Sequence, residues 1–157
     1  MKNYRVPTLT IAGSDSSGGA GIQADLKTFS AIGTYGMSVI TAITAQNTEG
    51  VFDVEELSSE IIKSQIKAVC EDIPPKAIKI GMVSSPKIIK DIVESLEIYP
   101  CEYVVVDPVM ISKSGYSLLR PEAKENLIKY LIPKAYIVTP NVPEAEEISS
   151  IKIDTVE

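Results

Sequence analysis

Residues 9–36, LTIAGSDSSGGAGIQADLKTFSAIGTYG, constrain the fold more than any other stretch of the chain. They open with the apolar run 9–12, break into a Ser/Gly loop over 13–21, and resume as a helical pattern from Gln23. The four glycines of that loop, Gly13, Gly18, Gly19 and Gly21, leave little side chain to bury. They let the backbone take positive φ and approach a ligand closely. The loop also faces the start of the following helix, where unpaired N–H groups and the helix dipole favour small anionic or polar ligands. The pattern predicts a strand, a ligand-facing turn and a helix.

Two known loops can be tested against it. The phosphate-cradling G-x-x-x-x-G-K-[ST] fails, because Gly18 is followed by Gly19 and Ala20, with no lysine or metal-binding hydroxyl. The dinucleotide pattern G-x-G-x-x-G/A fits formally at 19–24, but it requires an acid about 20 residues on. The next strand ends instead at Ala45 and Gln46, with an amide.

The rest of the chain repeats the alternation. Leu26, Phe29 and Ile32 share one helical face, and Gly33 ends that helix. Residues 37–45, MSVITAITA, read as one continuous β-branched strand covered on both faces, followed by a polar turn over 46–50 and a short strand over 51–57. A helix over 59–73 carries Ile62, Ile66, Val69, Cys70 and Ile73 on one stripe and stops at Pro74 and Pro75. Residues 77–80 form a short strand, and Ser85 with Pro86 supplies a cap and a first-turn proline for a helix reaching toward Pro100. Residues 103–106 are the most apolar strand. A helix over 121–131, a strand over 135–138 and a helix from Glu144 complete the pattern. No repeat, linker or low-complexity segment interrupts it, so one domain over 1–157 is expected. The fold class is α/β, with a mostly parallel central sheet and helices on both faces.

Composition narrows the function. The net charge of −6, with no basic block, argues against nucleic acid or an anionic membrane as partner, while backbone amides and Mg²⁺ could still hold a phosphate. Histidine is absent, which excludes an imidazole base, a Ser-His-Asp triad and a His-ligated zinc within this chain. The first residues lack a signal-peptide pattern and no long apolar stretch follows, so a cytoplasmic protein is expected. Cys70 and Cys101 form no C-x-x-C pattern and read as reduced structural thiols.

The unusual residues all follow the carboxyl ends of predicted strands, at 13–21, 46–50, 81–84, 107–115 and 139–143. In an open α/β sheet that edge binds ligands. Asp107 ends an apolar strand, where it either caps its own turn or serves as a Mg²⁺ ligand. Glu144 is its natural companion, or else a first-turn residue balancing the helix dipole. Asp25 and Gln46 are candidates for reading a heteroaromatic ring, since an amide offers both a donor and an acceptor. Lys113 could screen phosphate charge or simply be solvated. Met82 could be core filling. Ser14, Ser16 and Ser17, with no histidine base, read as turn-ordering residues.

Taken together, residues 12–51 (AGSDSSGGAGIQADLKTFSAIGTYGMSVITAITAQNTEGV), KIGM at 79–82, VVVDPVMISKSG at 104–115 and TPNVPEA at 139–145 resemble the hydroxymethylpyrimidine/phosphomethylpyrimidine kinases of thiamine biosynthesis. These are members of the ribokinase-like superfamily. The resemblance implies ATP-dependent phosphorylation of 4-amino-5-hydroxymethyl-2-methylpyrimidine and its monophosphate, with ATP and Mg²⁺ as cofactors. It implies that Gly13, Asp25, Gln46, Met82 and Val109 line the pyrimidine pocket, Val109 through its backbone. It likens Asn141 and Glu144 to the N-x-x-E motif, associated with metal and phosphates, and makes Asp107 and Glu144 the metal pair. Homodimers are common among such kinases. A pyridoxal kinase of the same superfamily is the alternative, since some share the GSDSSGGAG opening; the AQNTEGV turn favours the pyrimidine.

The family's anion-hole loop, a Gly-Thr-Gly followed by Cys or Asp, has no counterpart here, the one Gly-Thr pair being Gly33 and Thr34. Phosphoryl transfer rests almost wholly on positioning and charge stabilisation. The expectation is therefore a partial chain, incomplete at its C-terminus, with no catalytic residue of its own. Such a chain would bind a pyrimidine without turnover and leave a sheet edge uncovered.

Overall fold

The structure, a computed structural model, describes residues 5–110, 119 and 121–155. In chain order its first half holds β1 (Pro7–Ala12), α1 (Gly21–Ala31), β2 (Tyr35–Ile40), β3 (Ala42–Gln46), β4 (Val51–Glu56) and α2 (Ser59–Asp72). There follow β5 (Ala77–Ile80), α3 (Pro86–Ile98), β6 (Tyr103–Val106), α4 (Pro121–Asn126), β7 (Ile137–Val138) and α5 (Val142–Ser149). Five strands form a parallel sheet in the order β2-β1-β5-β6-β7, while β3 and β4 make a separate antiparallel pair.

The alternation of β1 sorts the two faces of this sheet. Leu9 and Ile11, with Ile78 and Ile80 of β5 and Val104 and Val106 of β6, are all buried and join the isoleucines of α2 and α3 in one core. Each such isoleucine contributes about 1.5–3 kcal/mol of burial. The opposite face carries Thr10 and Lys79, paired in register, and α1 covers it over β1 and β2. Helices thus lie on both faces, as the alternating pattern predicts. No helix among the described residues is long and apolar enough to cross a membrane.

Several boundaries differ from expectation. The run 37–45 is two strands. Thr41 turns the chain out of the sheet: its amide still donates to the Ala12 carbonyl at 3.0 Å, and its hydroxyl donates to the Met82 carbonyl at 3.2 Å. Beyond it β3 pairs with β4, and Ile43 and Ala45 face solvent, so the expected two-sided cover holds only for β2. The helix over 121–131 is α-helical only through Asn126. Leu127–Leu131 is a π turn and Ile132–Lys134 a 3₁₀ turn. The Ile132 amide closes the π turn on the Leu127 carbonyl, and Pro133 has no N–H with which to resume the α pattern on the Lys129 carbonyl. The Ala135 amide then closes the 3₁₀ turn on the Ile132 carbonyl at 3.0 Å, leaving β7 only two residues long.

The helix caps follow the sequence closely. Ser58 and Ser85 accept the Ile61 and Ile88 amides, and Pro86 opens α3. Gly21, φ +56°, begins α1 two residues earlier than the helical pattern suggests. A Cβ there would stand 2.5 Å from the Gly13 carbonyl oxygen, so only glycine permits this approach of helix to strand end.

Candidate functional site

The carboxyl ends of the strands converge on one rim, and backbone bonds lace them together. The Ser14 amide donates to the Ala42 carbonyl at 2.9 Å, while Thr44 donates through its amide to the Ser14 hydroxyl and through its own hydroxyl to the Ser14 carbonyl. The Ser16 hydroxyl accepts the Gln46 amide at 2.8 Å and donates to the Gln46 carbonyl at 2.7 Å. Gln46 is thereby fixed by its backbone, and its side-chain amide takes no hydrogen bond among the described residues. A Cβ on Gly13 would lie 2.5 Å from the Met82 methyl carbon, so the thioether packs directly on the glycine backbone.

Beside this lies a charged cluster. Asp25, on α1, accepts the Thr10 hydroxyl at 2.6 Å and pairs with the Lys79 ammonium at 3.2 Å, both through Oδ2. Oδ1 receives no bond among the described residues. The same ammonium lies 3.7 Å from Asp107 Oδ2. Burial pushes the Asp107 carboxyl above the usual aspartate range, with Lys79 opposing and the charges of Glu144 and Asp25 reinforcing the rise. Glu144 is 7% exposed and accepts two amides, Met110 on Oε1 at 3.3 Å and Asn141 on Oε2 at 3.0 Å. The Asn141 side chain returns the bond to the Glu144 amide at 2.9 Å, closing a capping box on α5. The Val109 amide is engaged with the Asp107 carbonyl at 2.8 Å. Lys113 lies outside the described residues.

Two of these residues suit a hard divalent cation. Asp25 and Asp107 share the Lys79 ammonium, and the charge of Glu144 also reaches Asp107, so among the described residues the cluster carries an excess of negative charge that a cation would balance. Among the described residues no three His, Cys, Asp or Glu form a metal-binding group. Oxygen donors from two side chains, without a closed protein cage, match Mg²⁺, which keeps waters and substrate phosphates in its shell.

Sequence reasoning missed two residues. Asp15, 2% exposed, fills the glycine loop with its own carboxylate: Oδ1 accepts the Ser17 amide and hydroxyl, and Oδ2 accepts the Gly19 and Ala20 amides at 2.9 and 2.8 Å. Burial pushes this carboxyl up, but the four bonds outweigh it and hold it below the ordinary aspartate value. The Gly18 and Ile22 amides bond to loop carbonyls, and the Asp15 amide to the Gln23 side chain. These amides are therefore engaged within the loop, which corrects the expectation that it offers a ready anion site. Aspartate ahead of Ser-Ser-Gly-Gly is itself a turn signature, and that signal was readable. Lys79 was the other omission. A lysine in the strand Ala77–Ile80 needs a counter-charge, and two carboxylates supply it.

The sequence profile of the family described as Phosphomethylpyrimidine kinase matches residues 15–157. The chain belongs to the phosphomethylpyrimidine kinase family. It is 51% identical over 149 residues to the hydroxymethylpyrimidine/phosphomethylpyrimidine kinase of Bacillus subtilis, covering 95% of this chain and 55% of that protein. The chain spans about half the length of the curated relatives it matches. Among solved structures, the phosphomethylpyrimidine kinase of Clostridium difficile 630 superposes with a TM-score of 0.93 at 79% identity, covering 97% of this chain and 66% of that one. The pyridoxal kinase of Staphylococcus aureus in complex with pyridoxal gives a TM-score of 0.86 at 43% identity, covering 97% and 55%. The ribokinase-like α/β fold is common to these phosphomethylpyrimidine and pyridoxal kinases. Within it, Gly13, Asp25, Gln46, Met82, Asp107, Val109, Asn141 and Glu144 all stand at or beside the carboxyl edge of the strands.

Proposed function

We propose that this chain, as a single domain, carries the pyrimidine pocket and the metal pair of an ATP- and Mg²⁺-dependent kinase for 4-amino-5-hydroxymethyl-2-methylpyrimidine and its monophosphate in thiamine biosynthesis. The observation that carries the reading is a pair of polar groups at the rim, the Gln46 side-chain amide and Asp25 Oδ1, that take no hydrogen bond among the described residues. Gln46 is anchored instead by its backbone and Asp25 by Oδ2. An amide pairs with a ring nitrogen and its neighbouring amine, and a carboxylate oxygen accepts from the amine. Gly13 and Met82 give the flat ring an apolar bed, and the Val109 carbonyl takes no hydrogen bond among the described residues.

Asp107 and Glu144 would hold Mg²⁺, which supplies charge neutralisation for nucleotide phosphates. Asn141, through the Nδ2 that its cap leaves unused, and Lys113 would add donors to those phosphates. The 157 residues contain no Gly-Thr-Gly triplet, so the reading assigns ring and metal binding to this chain and no turnover. Free thiols at Cys70 and Cys101 accord with a reducing cytoplasm, and the net charge of −6 accords with a small-molecule partner rather than nucleic acid. Sedimentation tests the homodimer that such kinases commonly form.

A second reading, pyridoxal as the ring, is favoured by the likeness to the S. aureus kinase. Titration calorimetry of the chain with the hydroxymethylpyrimidine and with pyridoxal, each with Mg²⁺ present, separates the two. Tighter binding of the pyrimidine is expected. A preference for pyridoxal overturns the first reading, and phosphorylation by this chain with ATP overturns the assignment of binding alone.

A further inference from the structure

Lys79 stands where the two halves of the site meet. Its ammonium is within ion-pair range of Asp25 at 3.2 Å and of Asp107 at 3.7 Å, and among the described residues neither carboxylate has another cation in range. The space it occupies is built for it. A Cβ on Gly81 would lie 2.8 Å from Nζ and 3.1 Å from the Ala12 Cβ, so glycine at 81 leaves room for the ammonium. The side chain is 23% exposed, and solvent only partly screens its charge.

The two contacts have opposite consequences for the two ligands of the proposed reading, on which this inference rests. Toward Asp25, Lys79 is an anchor: with Thr10 it occupies Oδ2 and leaves Oδ1 without a bond among the described residues. Toward Asp107 it is a competitor, because a fixed positive charge beside a carboxylate opposes the approach of a divalent cation to that same carboxylate. We propose that Lys79 is a positioning residue that couples the ring half of the site to the metal half, strengthening pyrimidine binding through Asp25 while weakening divalent-cation binding at Asp107 and Glu144.

Removing the charge should therefore move the two affinities in opposite directions, which loss of local structure cannot do. The test titrates wild type, Lys79→Met and Lys79→Arg with Mn²⁺ by electron paramagnetic resonance, and with the hydroxymethylpyrimidine by calorimetry. A thermal melt of each variant reports the fold. In Lys79→Met, Mn²⁺ is expected to bind about fivefold tighter and the pyrimidine about fivefold weaker, with Lys79→Arg within about twofold of wild type for both. Weakening of both ligands, or no change in Mn²⁺ affinity, overturns the coupling. Lys79→Gln, also uncharged, takes the place of the Met variant and is read by the same criteria if the latter does not fold. A wild-type chain that takes up no pyrimidine overturns the functional reading and the ring half of the inference with it. The Mn²⁺ arm still decides the metal half.

Discussion

The Ser16 hydroxyl bonds Gln46 twice, accepting its amide at 2.8 Å and donating to its carbonyl at 2.7 Å. One small side chain thus fixes the backbone of the residue proposed to read the ring. Ser16→Ala should loosen Gln46 without disturbing the core. The expected result is about fivefold weaker pyrimidine binding, the equivalent of about 1 kcal/mol, with the melting temperature nearly unchanged. Calorimetry on the variant checks it, and unaltered affinity would separate the Ser16 clamp from recognition.

Asp15→Asn keeps the shape of the side chain but turns one acceptor oxygen into a donor facing amides or a hydroxyl. It should cost about 2 kcal/mol by urea unfolding at neutral pH. Because the folded carboxyl sits below its ordinary value of 3.8, its stabilisation is present above that pH and is lost as pH falls through the folded value. The gap between wild type and variant should accordingly narrow in acid, and a gap that widens there would contradict the assigned hydrogen bonds.

Glu144→Gln sets an amide donor against the Met110 or Asn141 N–H. The expected loss is about 1–2 kcal/mol of stability from the broken box. Mn²⁺ binding should fall by about tenfold as a charged oxygen donor is removed. Thermal unfolding and metal titration read the two effects separately. Full metal affinity would leave Glu144 a helix cap and nothing more.

Ile89, a fully buried core residue of α3, gives a control in the apolar interior. Ile89→Ala should remove about 3 kcal/mol by denaturant titration. A loss under about 1 kcal/mol would mean that the core around α3 repacks.

Much of this architecture was readable from residue order. Thr8 and Thr10 alternating with Leu9 and Ile11, the Ser85–Pro86 helix start and the polar residues trailing each strand all carry local signals. So did the placing of Gly13, Asp107 and Glu144, because parallel strands send their carboxyl ends to one edge. Gln46 ends the antiparallel strand β3 instead and is tied to that rim by Ser16. What escaped was decided by partners distant in sequence. Nothing near Thr41 marks a break, since its hydroxyl is recruited by a carbonyl 41 residues away. The role of Lys79 depends on Asp25, 54 residues earlier. The dual bonding of Glu144 required Met110 beside it, which no helical periodicity encodes.

The carboxylate of Asp15, seated among the amides of its own glycine loop, behaves as a tethered competitor. Being covalently attached, it presents itself at a local concentration that free phosphate or a nucleotide cannot match. An inhibitor that reaches for this loop with an acidic group would have to evict an anion that never diffuses away. A neutral ring addressed to Gln46 meets no such rival.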